Sequence, residues 1–545
     1  MTGVRAEVAI VAGDGVRLLG DLVLPDRLPA PAVVIRTPYG TAGCRAEALT
    51  LAEAGFACLV QDLRGRYLSE GVFAAGADES ADGRATLDWT AAQPWCDGRI
   101  FLYGVAYEAY AAWCAAAHPA VHGIVSRQPW PPIGSPALDE ELWWRTDLCG
   151  GRLAREGLYD MTLARSPELT ALIPTAALAG RWPVDVGPWP ATPSTYRTAA
   201  RLIARAARAA TAPSLHLGSW YCRSAATTLR QAMLSPRADA VVGGWASALT
   251  HRLQPECALD VPADPHPFAL ALEWLGPHAA PAGSAPAATV AGLSPTAHLS
   301  GCLLIGSGRW TEADPIPPRR PQWSALPLAP GPARLRHDPD DPVTSAPHSA
   351  DLAPLTGHDG LVRLTVPGPV AWHGAPRLVA EVTAGGAAEL VATLVHERPD
   401  GVATRLADGT APIGPGGSRC EIRIVPAAAE LPYGHRLHVE VTAGRPPRHR
   451  APARPVEIVL RDAELHLPHP RKEPSIDPSR PPGGRAHRAD PQAGPPRSGA
   501  VVAGGADRVH GRGGLAVPAA ALAGRPGVHR HRLRRPAAGR AERGR

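Results

Sequence analysis

The chain has 545 residues, 45% of them hydrophobic, enough to fill the cores of roughly two to four domains. No run of about 18 apolar residues interrupts it, and the start MTGVRAEVAIVAGDGVR lacks a basic-then-apolar order, so a globular, cytoplasmic protein is expected, outside the membrane. The net charge of +6 is unevenly held: residues 471–545 carry fifteen Arg, one Lys and five acidic residues, leaving the body at −5 and giving no general case for nucleic-acid binding.

The first 128 residues alternate strands and helices. RLLGDLVL and AVVIR read as strands, RAEALTLAEAG as a helix, FACLVQ as a strand and ADESADGRATLDWTAAQ as a helix. Apolar runs separated by helical patterns predict a parallel sheet covered on both faces, with active groups at the carboxyl ends of its strands. Next comes RIFLYGVAYEAYAAWCAAAHP, in which an apolar strand runs into Gly104 and an alanine-rich helix follows at once. That is the layout of a nucleophile elbow, where a serine sits on a strained strand-to-helix turn. Here the position is Ala106.

Residues 129–212 turn helical and rich in Trp and Arg, and read as an inserted cap whose clearest helices lie in ELWWRTDLCGGRLAREGLYDM and STYRTAARLIARAARAA. Trp143 and Trp144 are adjacent there, so they point in different directions, and helix-to-helix packing is their expected role. The strands APSLHLGSWYC and ADAVVGGWAS, the helix PFALALEWLG and the strand CLLIGSG resume the sheet over 213–320. From 321 to 470, alternating segments such as LVRLTV, RLVAEVTA, ELVATLVHE, CEIRIVP and RLHVEVTA between Pro, Gly and Asp-Gly turns predict an antiparallel β-sandwich. The Arg/Pro/Gly-rich tail 471–545 has no sustained period and is expected to be a solvated extension. Nine cysteines without a CxxC pair exclude a disulfide framework and a zinc ribbon, and no spacing suggests a metal or an organic cofactor.

The motifs DGVRLLGDLVLP, RTPYG, QDLRGRYLSEG, DGRATLDWTAAQPWCDGRIFLYG, GSWY, VVGGW, LRHDPDDPVTS and LPYGHRLHVEVTAG follow in order. Their succession over roughly residues 5–470 resembles the cocaine esterase-like and Xaa-Pro dipeptidyl-peptidase hydrolases, the CocE/NonD family. The resemblance implies an α/β-hydrolase sheet, an inserted helical cap and a C-terminal jelly roll. It also implies acyl transfer through a Ser-His-Asp triad.

Carried over position by position, that triad is missing. The G-x-S-Y-x-G motif of the serine corresponds to Gly104, Val105, Ala106, Tyr107, Glu108 and Ala109. The aspartate that follows a G-W-Y type motif is replaced by Cys222, and the histidine that follows a G-P-W-S type motif by Ser247. The oxyanion hole survives by resemblance, as the Tyr39 hydroxyl and the backbone N–H of Tyr107. The expectation is an impaired hydrolase, a pseudoenzyme, whose partner is a small acyl or aromatic molecule. The alternative is an active hydrolase with a displaced nucleophile, such as Cys222 with His251 as its base. Cys114 lies about two helical turns past the elbow, too far to substitute. Glu108 reads as a helix-start carboxylate that complements the macrodipole. Asp62, Arg64, Arg66 and Glu70 read as scaffolding near the sheet edge.

Overall fold

The computed structural model of the protein describes residues 4–132, 193–222, 224–245, 266–279, 301–311, 321–328, 331–345, 351–446 and 448–469. Contacts divide the chain into Met1–Ser475 and Ile476–Arg545, and every described residue belongs to the first unit. Most of the expected cap, Trp143 and Trp144 included, as well as Ser247, His251 and the tail, lies outside the described residues.

A ten-stranded sheet organises the first part of the chain. Its strands are β1 (Val4–Val11), β2 (Arg17–Leu24), β3 (Ala30–Thr37), β4 (Ala57–Asp62), β5 (Cys96–Val105), β6 (Val121–Arg127), β7 (Ser214–Ser219), β8 (Ala238–Gly243), β9 (Gly301–Leu303) and, after the two-residue β10 (Ile305–Gly306) of another sheet, β11 (Trp310–Thr311). The order is β1-β2-β4-β3-β5-β6-β7-β8-β9-β11. From β4 to β9 every pairing is parallel, whereas β1–β2, β2–β4 and β9–β11 are antiparallel. The expected all-parallel sheet is thus corrected at both edges. The physical reason is visible at β2, whose alternating burial marks a strand covered less evenly than the fully buried β4.

Helices α1 (Arg45–Glu53), α2 (Ser80–Ala91), α3 (Tyr107–Ala115), α4 (Pro193–Ala209), α5 (Ala225–Leu234) and α6 (Pro267–Ala279) pack on the sheet. All nine residues of α3 are buried, as expected for a helix that is apolar around its whole circumference. By contrast α4 is strongly amphipathic: Tyr196, Ala199, Ile203 and Ala207 face inward at three- and four-residue spacing, while Arg197, Arg201, Arg205 and Arg208 face water. Its inner face joins the cluster of Tyr110, Trp113 and Ile124. This helix was expected in the cap, and its packing assigns it instead to the layer covering the sheet, as the crossover from β6 to β7.

The rest of the described chain is all β. The strands are β12 (Gln322–Pro327), β13 (Ala333–His337), β14 (Leu361–Thr365), β15 (Ala371–Gly374), β16 (Arg377–Ala384), β17 (Ala388–Glu397), β18 (Ala403–Ile413), β19 (Gly416–Arg423), β20 (Ala427–Glu430), β21 (Arg436–Ala443) and β22 (Val456–His469). One sheet runs β12-β22-β16-β19, with β13 also paired to β22, and another runs β14-β21-β17-β18. Leu378, Val382 and Ile422 of the first share a core with Val362, Leu390 and Val439 of the second, which is the expected sandwich. That core is continuous with Trp220, Tyr221 and Leu229 of the hydrolase part, and β10 pairs with β20. The GSWY segment is therefore a joint between the two regions as well as a neighbour of the site.

Candidate active site

Four parallel strands deliver the expected site residues at their carboxyl ends. Tyr39 follows β3, Ala106 follows β5, Cys222 follows β7 and Trp245 follows β8. In a sheet of this type that edge is where a ligand crevice forms.

Ala106 adopts φ 55° and ψ −116°, a backbone that L-residues rarely occupy. Its N–H donates to the Arg127 carbonyl at 3.1 Å, and its own carbonyl accepts from Trp130 N at 3.1 Å and from Tyr110 N at 3.3 Å. These bonds hold the turn whatever the side chain. Gly104 is dictated by packing: a Cβ there would stand 2.3 Å from the Glu108 carbonyl carbon and 2.4 Å from Ala109 N. Strained φ/ψ pairs cost roughly 1–3 kcal/mol each. Ala106→Gly is accordingly expected to raise the unfolding free energy by about 1 kcal/mol net of the entropy glycine adds to the unfolded chain, read from a shifted urea midpoint at constant m-value.

The helix start is pinned from below by aromatic side chains. Gly76 N donates to the Tyr107 hydroxyl at 2.9 Å, and the Tyr110 hydroxyl donates to Ala77 O at 2.7 Å. Phe73, Tyr107, Tyr110, Trp130 and Tyr196 stack in a chain of ring contacts. With the Tyr107 ring fixed, its backbone is held where the elbow requires it. Tyr39 is half-buried, and its N–H donates to Thr37 Oγ1 at 3.1 Å.

Glu108, at the start of α3, does more than complement the helix macrodipole. It is buried, accepting from Thr37 Oγ1 at 2.8 Å, Cys44 Sγ at 3.4 Å and Val105 N at 3.1 Å. It therefore ties the end of β3, which carries Tyr39, to the end of β5, which carries Ala106. Burial pushes its carboxyl up to about 7, opposed by the Thr37 bond and aided by the negative charge of Glu47. A carboxyl raised on folding favours the native state fully below its unfolded value of 4.5, and that contribution fades as pH rises through about 7. Wild-type stability is expected to fall by roughly 3 kcal/mol relative to Glu108→Gln between pH 5 and pH 8, measured as urea midpoints of both proteins. Equal pH slopes would contradict it.

At β7 and β8 the landmark residues are packed for structural reasons. Trp220 Nε1 donates to Leu303 O at 2.7 Å, and Trp220 N to Gly243 O at 3.0 Å. The Ser219 hydroxyl donates to Trp245 O, and the Trp245 ring lies 2.7 Å from where a Cβ on Gly243 would stand. Cys222 is half-buried, with Sγ 2.9 Å from Ser224 Oγ. The structure thus brings Tyr39, Ala106, Tyr107 and Cys222 to one edge of the sheet, while Ser247 and His251 lie outside the described residues. Cys114 is buried within α3, its thiol pushed up to about 12 by that burial.

The remaining landmarks build the floor. Arg64 pairs with Asp82 at 2.6 Å and with Asp14 at 2.8 Å, Arg66 Nε donates to Pro38 O, and Glu70 accepts from Arg17 N. Asp62 is buried, and that burial raises its carboxyl to about 6. Among the described residues no group of three or more His, Cys, Asp or Glu could hold a metal, and no helix is long and apolar enough to cross a membrane. Sequence reasoning missed Arg127, a buried cation beside the elbow. Its signal was an arginine closing the apolar strand VHGIVSR directly after the elbow helix.

The sheet, its covering helices and the strained turn after β5 define an α/β-hydrolase fold. Residues 14–145 match the family model for X-Pro dipeptidyl-peptidase (S15 family). Over 162 residues the chain is 35% identical to the cocaine esterase of Rhodococcus sp. (strain MB1 Bresler), a stretch covering 28% of this chain and only 27% of that enzyme. An aminopeptidase from the marine sediment archaeon Thaumarchaeota archaeon shares the fold with a TM-score of 0.65 at 17% identity, over 86% of this chain and 96% of the other. An alpha-amino acid ester hydrolase does so at 0.61 and 14%, over the same shares, and a CocE/NonD family hydrolase from Staphylococcus aureus at 0.58 and 13%, over 85% and 93%. Residues 14–145 are thus similar to the X-Pro dipeptidyl-peptidase family, and the fold is the one shared by CocE/NonD hydrolases.

Proposed function

We propose that this chain is a family member whose hydrolytic chemistry has been silenced, and which binds a small acyl or aromatic compound without turning it over. The observation that carries the reading is Ala106, which keeps the backbone of a nucleophile elbow, φ 55° and ψ −116°, on a side chain with no atom that can attack. The residues that follow the two Trp landmarks support it, since Cys222 supplies no carboxylate and Ser247 no imidazole. Retained donors, the Tyr39 hydroxyl and the Tyr107 N–H, suit the carbonyl oxygen of an acyl group. The acidic body of the chain favours a small molecule over nucleic acid, and nine cysteines without a CxxC pair fit a reducing cytoplasm.

A thiol pathway through Cys222 has less to recommend it, because its sulfur is engaged with the Ser224 hydroxyl. Titration of the tryptophan fluorescence with short-chain and benzoyl amides tests the reading. Saturable binding with no product after prolonged incubation is expected. Release of the acid would overturn it, and if Cys222→Ala then abolished the release, the thiol would be the nucleophile.

A further inference from the structure

Arg127 closes β6, the strand between the elbow strand and β7. In the parallel register it pairs with Val105 on one side and Leu217 on the other. Paired residues of neighbouring strands point to the same face. Val105 and Leu217 belong, with Ala106, Tyr103 and Trp245, to one apolar cluster. The guanidinium therefore enters this cluster at the carboxyl edge of the sheet, beside the elbow whose N–H its own backbone carbonyl receives.

Among the described residues the side chain has no counter-charge. Arg127 is 8% exposed, and its Nε is buried without a hydrogen-bond partner. No described carboxylate forms an ion pair with it. Glu108 is close enough to act on the Tyr103 hydroxyl, as Arg127 also does, yet its oxygens are committed to Thr37, Cys44 and Val105. The Tyr103 hydroxyl is buried within reach of this guanidinium and offers it no charge. Buried charges in proteins are ordinarily paired, because an unpaired one is strongly destabilising. A buried cation with no described carboxylate partner, at the strand ends where such sheets form a ligand crevice, is arranged for an incoming anion.

We propose that Arg127 receives a carboxylate of the ligand, so that the pocket is specific for free acids over their neutral esters and amides. This rests on the silenced-pocket reading and gives it a chemical class. A planar guanidinium fork matches a carboxylate through two parallel charge-assisted hydrogen bonds, an arrangement that an amide does not reproduce.

The experiment is calorimetric titration of the full chain with benzoate and hexanoate and with the corresponding amides, on wild type and on Arg127→Met, alongside thermal unfolding of both without ligand. Expected are acids bound at least 10-fold tighter than amides by wild type, loss of that preference in Arg127→Met with amide affinity retained, and a higher unfolding temperature for the unliganded variant. Should Arg127→Met fail to accumulate, Arg127→Gln carries the same comparison. Equal affinities for acid and amide in wild type, or a preference that survives the substitution, would overturn the carboxylate assignment and leave the pocket reading standing. A fall in unfolding temperature would also overturn it, since that marks the guanidinium as a structural partner. Binding of neither probe class would overturn the pocket reading and this inference together.

Discussion

Combining Ala106→Ser, Cys222→Asp and Ser247→His is expected to raise hydrolysis of an activated ester by about 10³-fold or more over wild type, whereas Ala106→Ser alone should stay near the wild-type rate. The asymmetry follows from how a triad works: a serine hydroxyl is a weak nucleophile until a histidine takes its proton, and the histidine is correctly held only by its carboxylate. Removing one member costs nearly as much as removing all, so restoring one recovers nearly nothing. Ala106 is the favourable place to begin, because its backbone already has the elbow conformation and a single oxygen added to its Cβ needs no main-chain change. Initial rates of p-nitrophenyl acetate hydrolysis for the single, double and triple variants would check this. A single variant as fast as the triple one would show that another base already serves position 106.

Gly104→Ala is the substitution expected to do most damage for its size. Its new methyl would lie 2.3 Å from the Glu108 carbonyl carbon, 2.4 Å from Ala109 N and 2.5 Å from the Glu108 carbonyl oxygen, all main-chain atoms of a fully buried helix. Relief requires α3 to lift off β5, which would break the aromatic chain through Tyr107 and Tyr110 as well as the Glu108 bridge. A loss of at least about 3 kcal/mol is expected, the upper end of overpacking costs, seen as a large drop in unfolding temperature or as failure to accumulate. Gly55, whose added Cβ would meet nothing within 4 Å, is the control for a glycine in an open turn, although its φ of 92° makes that change strained for its own reason.

Much of this was legible in the sequence, and the reason differs from element to element. The elbow could be read because a ten-residue strand ending in an apolar run, a glycine and an abrupt alanine-rich helix leave few alternatives. Buried strands such as β4 announce themselves as short apolar runs. The antiparallel edges were not legible, since the direction of a strand is set by its connections and neighbours, which local pattern does not carry. The membership of α4 was misread for a related reason: a helix of alternating Arg and Ala is equally suited to a cap and to a sheet-covering layer, and only its inner face against Tyr110 and Trp113 decides. The partners of Glu108 were not legible, because nothing local reveals that Thr37, 71 residues earlier, comes to lie 2.8 Å away. Arg127 was passed over because a single cation ending a strand looks like ordinary punctuation until its lack of a partner is seen in three dimensions.

Under the proposed function, the scaffold of the site would have outlasted its reaction. Trp220 and Tyr221 lie in the core shared with the sandwich, Trp220 also bonds Leu303 O and Gly243 O within the sheet, and Trp245 packs in the cluster beside Ala106. Their loss would cost stability, whereas exchange of the reactive side chains beside them need not. Such a division would let the landmark motifs persist beside Ala106, Cys222 and Ser247 without any appeal to activity. It also separates fold from function, as family membership alone licenses no particular reaction.

The most direct test of the central claim is the steady-state hydrolysis of a panel of activated acetyl, butyryl and benzoyl esters by the purified, folded full-length chain, against the same protein boiled. Rates indistinguishable from the boiled control across the panel are the predicted result, with folding confirmed by a cooperative unfolding transition on the same sample. Saturable turnover well above the control, or a burst of product equal to the protein concentration, would show a working nucleophile and contradict the account.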